Sequence, residues 1–418
     1  MIDFQDFTFG TATASHQIEG DNRFNQWWEA EKRGRLKYRS GRACEHWKRY
    51  EKDIELMAEL GYDSYRFSIE WSRIFPKEKE KNNNALDRYQ DIIDLLNERG
   101  IMPMVTLHHF TNPTWFMEKG GFLKDKNIRY WRDYVETIRD EISGVDIFCT
   151  INEPMVYIMN SYLTGEWPPF KTSLLKSAKA EKNLIKAHDA AYGILKGKNK
   201  AVGIVKHFPD IRPKTDKKKD IKAADKADDL FNWNFLDGLW DGKVKTPLKS
   251  YSVPESDTDF IGLNYYTLHE ASHSWNPFKM FFETELVKNG ELTLMGWTVH
   301  PEGIYRGIKE IHDRYDRPLY ITENGIATHD DRWRVEYILK HLIQIHKARE
   351  EGYDVRGYMY WSFMDNFEWA EGFEPRFGLI GIDFKTCERK VRKSAKVYGK
   401  IAKEKGISAD IVKEYIKD

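Results

Sequence analysis

At 418 residues, with 66 Lys+Arg against 66 Asp+Glu, the chain is long enough to bury a large core and carries no formal net charge. That balance excludes the basic footprint of a nucleic-acid binder. Three scattered cysteines, Cys44, Cys149 and Cys387, form no CxxC pair, which argues against a disulfide scaffold and for a reducing, cytoplasmic compartment.

The first ten residues show no basic segment followed by an apolar one, and no stretch approaches the length of a membrane-spanning helix, so a soluble protein is expected. Peripheral membrane contact stays open because residues 275–282 hold Trp275, Phe278, Phe281 and Phe282; packing onto the body of the protein is the favoured reading of them. High but balanced charge suits the surface ion-pair networks of a thermostable protein.

In chain order, the first strand is predicted at 7–13. An amphipathic helix at 45–60 carries Trp47, Tyr50, Ile54 and Met57 on one face, stops at Gly61 and leads into an apolar strand at 62–69. The same unit recurs as a helix at 85–99, Gly100 and a strand at 102–108, then as a helix at 129–143, Gly144 and a strand at 145–151. Strands at 201–205, 259–265 and 318–322 follow. A helix at 335–351, Gly352 and a strand at 355–361 close the series. The Lys-rich stretch 214–222 reads as a solvated loop and helix start. Parallel strands alternating with helices, without a composition break, predict a single-domain α/β fold, a closed (β/α)8 TIM barrel over 1–418.

In such a barrel the functional rim lies at the carboxyl ends of the strands. This rim collects His16 and Gln17 after the first strand, Arg66 in the second, and His108 and His109 after the third. Asn152 and Glu153, Tyr265 and Tyr266, Glu323 and Asn324, and Trp361 follow at later strand ends. Glu153 and Glu323 each end an apolar run. Two carboxyl groups brought to one pocket are what cleavage of a glycosidic bond requires: one gives a proton to the departing oxygen, the other supports positive charge at the anomeric carbon.

Gln17-Ile18-Glu19-Gly20, Tyr65-Arg66-Phe67-Ser68-Ile69, Thr106-Leu107-His108-His109, Asn152-Glu153-Pro154, Asn264-Tyr265-Tyr266, Thr322-Glu323-Asn324-Gly325, Trp361-Ser362, Asp365-Asn366-Phe367-Glu368-Trp369 and Arg376-Phe377-Gly378-Leu379 follow one another in this order. Together they resemble glycoside hydrolase family 1, the β-glucosidase and β-glycosidase family, over essentially the whole chain, and most nearly the short β-glucosidases of hyperthermophilic archaea. The resemblance implies a retaining exo-β-glycosidase, most simply a β-glucosidase, working without cofactor or metal on small-molecule β-glycosides. Glu153 would be the acid/base and Glu323 the nucleophile, held by Arg66 and Tyr266. Gln17, His109, Asn152, Glu368 and Trp369 would bind the sugar hydroxyls. Trp361 would lie under the ring, Phe377 would wall the pocket and Trp297 would flank the leaving group. Glu368, where members that cleave phosphorylated sugars have serine, implies free sugars. Galactose, mannose or fucose in place of glucose stays open, as does oligomeric state.

The chain departs from the family pattern in two places. Phe110-Thr111 follows His109 where Trp-Asp is usual, and Glu70 stands where a small residue is common. The chain is also shorter than most relatives, which predicts a more open leaving-group side. Two other readings were weighed: a sugar-binding barrel without hydrolysis, and a metal-dependent hydrolase using His108 and His109. Adjacent strand residues point to opposite faces, which disfavours that metal pair and makes His108 a packing residue.

Overall fold

The computed structural model describes residues 2–197, 200–246, 249–276, 280–288 and 290–416. Its centre is a closed barrel of parallel strands: β1 (Thr8–Ala12), β2 (Ser64–Ser68), β3 (Met102–His108), β4 (Ile147–Asn152), β5 (Ala201–His207), β6 (Ile261–Asn264), β7 (Leu319–Asn324) and β8 (Val355–Trp361). Each pairs with its sequence neighbours, β8 with β1 and β5 with β6 included. Around it run α1 (His46–Leu60), α2 (Asn83–Glu98), α3 (Ile128–Glu141), α4 (Leu174–Leu195), α5 (Asn234–Asp241), α6 (Glu302–Tyr315), α7 (Asp331–Glu350) and α8 (Lys393–Glu404).

Every predicted strand and each helix–glycine–strand unit is present. α1 buries Tyr50, Ile54, Met57 and Leu60 at the predicted helical spacing. It ends at Gly61 with φ of 80°, a left-handed turn that a side chain would strain. Two arginines are fully enclosed, Arg66 in β2 inside the barrel and Arg334 on α7 outside it.

Three strand pairs slip register near their carboxyl ends: β4–β5 between Cys149 and Asn152, β6–β7 between Leu263 and Asn264, and β7–β8 between Ile321 and Asn324. Such irregularities re-aim side chains, and here they fall on the strand ends that carry Asn152, Asn264 and Glu323.

Outside the barrel, Asp210–Pro213, Leu268–His273 and Phe282–Leu286 form a small sheet backed by helix Lys218–Asp228, where the Lys-rich stretch was expected to begin a helix. Ile211, Ala223, Ala227, Ala271 and Phe282 make its own small core. The aromatic segment beside it divides. Phe282 is buried as expected, but Trp275 is 82% exposed and Phe281 45% exposed; Phe278 lies outside the described residues. Trp275 touches the edge of the His273 ring rather than the barrel, because the strand leaves the sheet at that point. Among the described residues no helix is long and apolar enough to cross a membrane.

Candidate active site

Glu153 follows β4 directly. Its φ of 43° is left-handed, and Pro154 starts a short helix at the next position. A glutamate in that conformation is uncommon away from sites where geometry is imposed by the surroundings. Its backbone N–H donates to the Val205 carbonyl of β5 at 2.9 Å, which fixes the turn. Glu323 lies within β7. Gly325, two residues on, permits close passage of β8, since a Cβ there would sit 1.7 Å from the Trp361 carbonyl oxygen.

Arg66 organises the floor. Its Nη1 donates to Glu323 Oε1 at 2.6 Å and to the Thr322 carbonyl at 3.1 Å, and its Nη2 donates to Asn152 Oδ1 at 2.6 Å. Tyr266 donates its hydroxyl to Glu323 Oε2 at 2.7 Å. Asn264 links the two halves: its Nδ2 donates to Glu153 Oε1 at 2.8 Å and to Asn152 Oδ1 at 3.2 Å, while Thr322 donates to its Oδ1 at 2.7 Å and so sets the direction of the amide. One network from β2, β4, β6 and β7 thus holds both glutamates, each nearly closed to solvent.

Burial pushes both carboxyls up. On Glu153, the charge of Glu323 adds to burial and the pKa reaches about 8. Glu323 is also raised by burial, but Arg66 and then Tyr266 oppose the rise. Desolvation outweighs those two partners, yet both favour the anion of Glu323, and among the described residues Glu153 has no direct cationic partner to match. Glu368, partly open to the pocket, is held up at about 8 by desolvation and then by Glu323. It is therefore protonated near neutrality. One buried guanidinium supports one carboxylate, and the neighbouring acids keep their protons.

The other expected residues converge on the same pocket. Gln17 Nε2 lies 3.1 Å from Glu368 Oε2 and 2.9 Å from the Phe367 carbonyl. The Trp361 indole is within hydrogen-bond reach of Glu368. Asn152 Nδ2 lies 3.2 Å from His109 Nε2, and the His109 ring lies nearly parallel to those of Trp361 and Trp369, at 5.9 and 6.1 Å between centroids. Gln17 Oε1 and His109 Nδ1 are buried without a partner among the described residues. An unused acceptor and an unused ring nitrogen in one pocket suit hydroxyl groups, which both give and take hydrogen bonds. Tyr266, Trp297 and Phe377 form an aromatic wall, with Trp297 at 5.3 Å from Tyr266 and 6.1 Å from Phe377. His108 turns away, to Asn112 Oδ1 and the Phe122 ring, as a packing residue.

Two residues escaped the sequence reading. Asn264 was visible only as the start of its Asn-Tyr-Tyr string. His207 ends β5 with Nδ1 3.6 Å from Glu153 Oε1; its strand was predicted to stop at Val205. His207 also lines a cavity of about 190 Å³, with Met155, Met159, Ile211, Phe231 and other residues.

Residues 3–407 match the family described as Glycosyl hydrolase family 1. The chain is similar to a solved "beta-glycosidase from Pyrococcus horikoshii", with 57% identity, a TM-score of 0.97 and coverage of 99% of this chain and 98% of the other. It is 34% identical to "Beta-glucosidase A" of Thermotoga maritima, over 96% of this chain and 98% of the relative. A solved "Beta-glucosidase from Thermotoga maritima in complex with glucoimidazole" shares 32% identity at a TM-score of 0.91, covering 97% of this chain and 100% of that one.

Proposed function

The chain belongs to glycosyl hydrolase family 1 and is a glycoside hydrolase, and on that premise we propose that it removes terminal non-reducing β-D-glucosyl residues with retention of configuration. The carrying observation is that glutamates from the ends of β4 and β7 enter one buried network, Glu323 bonded to Arg66 and Tyr266 and Glu153 to Asn264.

In this reading Glu323 attacks the anomeric carbon while Glu153 protonates the departing oxygen. The bond to the leaving group breaks as the glycosyl ester forms. Esterification cancels the charge of Glu323. The influence that raised Glu153 then disappears, its pKa falls, and it becomes the base that takes a proton from water as the ester is hydrolysed. Arg66 and Tyr266 keep Glu323 in place and ionised. Asn152, directly before the acid/base, is placed for the sugar 2-hydroxyl, a bond that strengthens as positive charge develops. Gln17, His109, Glu368 and Trp369 take the remaining hydroxyls, with Trp361 under the ring.

Glu368 argues for free over phosphorylated sugars. A phosphate dianion beside a carboxyl raises its proton affinity further, and among the described residues no cation pairs with Glu368, which is bonded to Gln17. The cavity lined by Met155, Met159, Ile211 and Phe231, reached past His207, favours a leaving group with apolar surface. The test is the configuration of the first-formed sugar, followed by proton NMR on aryl β-glycosides that differ only in their sugar. β-Glucose formed first, and fastest among the sugars, supports the reading; α-glucose formed first removes it.

A further inference from the structure

We propose that His207 is a positioning residue for the proton of Glu153: with Asn264 it occupies Oε1 of the carboxyl, so that the catalytic proton is carried on Oε2. The inference rests on Glu153 being the acid/base.

His207 Nδ1 is buried, has no hydrogen-bond partner among the described residues, and faces Glu153 Oε1 at 3.6 Å. That same oxygen already accepts from Asn264 Nδ2 at 2.8 Å. A separation of 3.6 Å is longer than a hydrogen bond. Contacts of this kind are commonly long in an empty site and tighten when substrate is held.

The ring has little freedom to do anything else. The His207 carbonyl accepts from Lys206 Nζ at 2.7 Å, and the same ammonium binds Asn232 Oδ1 at 2.7 Å and the Phe231 carbonyl at 3.3 Å. Three acceptors match the three N–H groups of a lysine ammonium. The end of β5 is thereby tied to the segment that walls the cavity. The imidazole leans on Tyr266, centroids 6.1 Å apart, and Tyr266 is itself bonded to Glu323. The His207 side chain keeps 22% of its exposure and forms part of the cavity wall.

Neutral imidazole has one N–H and one bare nitrogen. A bare Nδ1 would set lone pair against lone pair at Oε1, so the tautomer that fits carries hydrogen on Nδ1. The charged and titratable groups around it are Lys206 on its own strand, His269 on the neighbouring sheet, and Glu153 and Tyr266 across the pocket; Glu323, Arg66 and Glu368 act on Glu153 from the other side. Burial, then Lys206 and then His269 hold His207 down at about 3, so it stays neutral while the enzyme works. It supplies a fixed N–H and not a second titrating charge.

With both donors on Oε1, Oε2 keeps the proton. That proton passes to the glycosidic oxygen, the C–O bond pair goes with the leaving alcohol, and a Glu323 oxygen forms the new bond to carbon. Glu153 is left as a carboxylate whose Oε1 holds two N–H groups, which stabilises the product of proton transfer.

The test compares His207→Phe, which removes the N–H but keeps a flat ring, with His207→Asn, whose amide places an N–H near the position of Nδ1. On a β-glucoside with a poor leaving group, His207→Phe should move the alkaline limb of kcat/KM upward by about one to two pH units, the size of one hydrogen bond to a carboxylate. It should also slow that substrate about 5- to 10-fold more than a dinitrophenyl glucoside, which needs no proton. His207→Asn should restore the limb. An unmoved limb with equal losses on both substrates, or identical behaviour of the two variants, overturns the inference. Glu153→Gln run alongside separates the two levels: selective loss on the poor leaving group sustains the acid/base reading whatever His207 does, and equal loss on both removes that reading and this inference with it.

Discussion

Arg66 Nη1 lies 2.6 Å from Glu323 Oε1, and among the described residues no other cation pairs with that carboxyl. The arginine arrives from β2 and the glutamate from β7, so the pair crosses the barrel interior. Arg66→Lys should lower kcat by about 10²–10³, the range for losing one preorganised donor. A single ammonium does not reproduce a fork that reaches Glu323 and Asn152 together. The acid limb of the pH profile should move upward, because Glu323 loses the partner that favours its anion. Steady-state kinetics on an activated aryl glucoside measure both effects.

Glu323→Gly removes the proposed nucleophile and opens the face it would occupy beneath the anomeric carbon. Turnover of an aryl β-glucoside should fall by many orders of magnitude. Added azide should restore part of it and give the α-glucosyl azide, since the small anion enters from the side the carboxylate occupied. Near-normal turnover without azide would assign the nucleophile elsewhere.

The alkaline side of activity follows from Glu153. Its pKa is raised to about 8, by burial first and then by the charge of Glu323. As the proposed acid it works protonated, so kcat/KM should hold below that pH and fall as pH rises through about 8. The acid limb should lie above the usual glutamate range of about 4.3, because burial raises Glu323 as well. Both limbs belong to the coupled pair. A dinitrophenyl glucoside should lose much of the alkaline limb, and pH profiles on the two substrates check this.

How far the sequence carried can be seen strand by strand. Helix–glycine–strand units are local, and periodicity plus a left-handed stop at Gly61 or Gly352 suffices to read them. The rim residues followed once the barrel was inferred, since strand ends face the pocket. What stayed hidden depends on where a strand ends and what lies across space. β5 runs to His207, two residues past its predicted end, and those two residues hold Lys206 and His207. Polar residues in a strand tip resemble a loop. The net balance on Glu323 was also beyond reach, because the partners are readable from motifs and the desolvation is not. Exposure of Trp275 was misjudged for a related reason: an aromatic run does not say which ring finds a neighbour.

Asp210 anchors the small sheet outside the barrel. It is fully buried and accepts from Arg212 Nε at 2.8 Å and from Arg306, with His300 Nε2 at 3.3 Å. Burial raises its pKa, but His300, Arg212 and Arg306 together outweigh it and bring the group down to about 2. A folded pKa below the unfolded value of about 3.9 means stability that is complete above the latter and lost as pH falls toward 2, about 2.5 kcal/mol in all. Asp210→Asn leaves Arg306 and Arg212 without their shared anion and should cost about 3 kcal/mol near neutrality. Urea titrations at pH 7 and pH 3 should show the gap between variant and parent narrowing at the lower pH.

The two departures from the family pattern meet in space. Thr111 Oγ1 donates to Glu70 Oε2 at 2.8 Å, and the same carboxyl accepts from Asn22 Nδ2 at 2.7 Å, Ser15 Oγ at 3.0 Å and Ser72 Oγ at 2.7 Å. The pattern that the sequence resembles puts an acid at the position of Thr111 and a small residue at that of Glu70, so in this chain the carboxylate stands on the other side of the contact. Each change alone should be costly. Glu70→Ala strands four donors, and Thr111→Asp sets a second buried acid against the first. Made together they should restore an acid facing small and hydroxyl residues. Contacting residues couple by about 0.5–3 kcal/mol, and a cycle of the two single variants and the double variant, followed by urea unfolding, should return a favourable coupling of about 2 kcal/mol. Additivity within about 0.5 kcal/mol would make the two departures independent accidents of this chain.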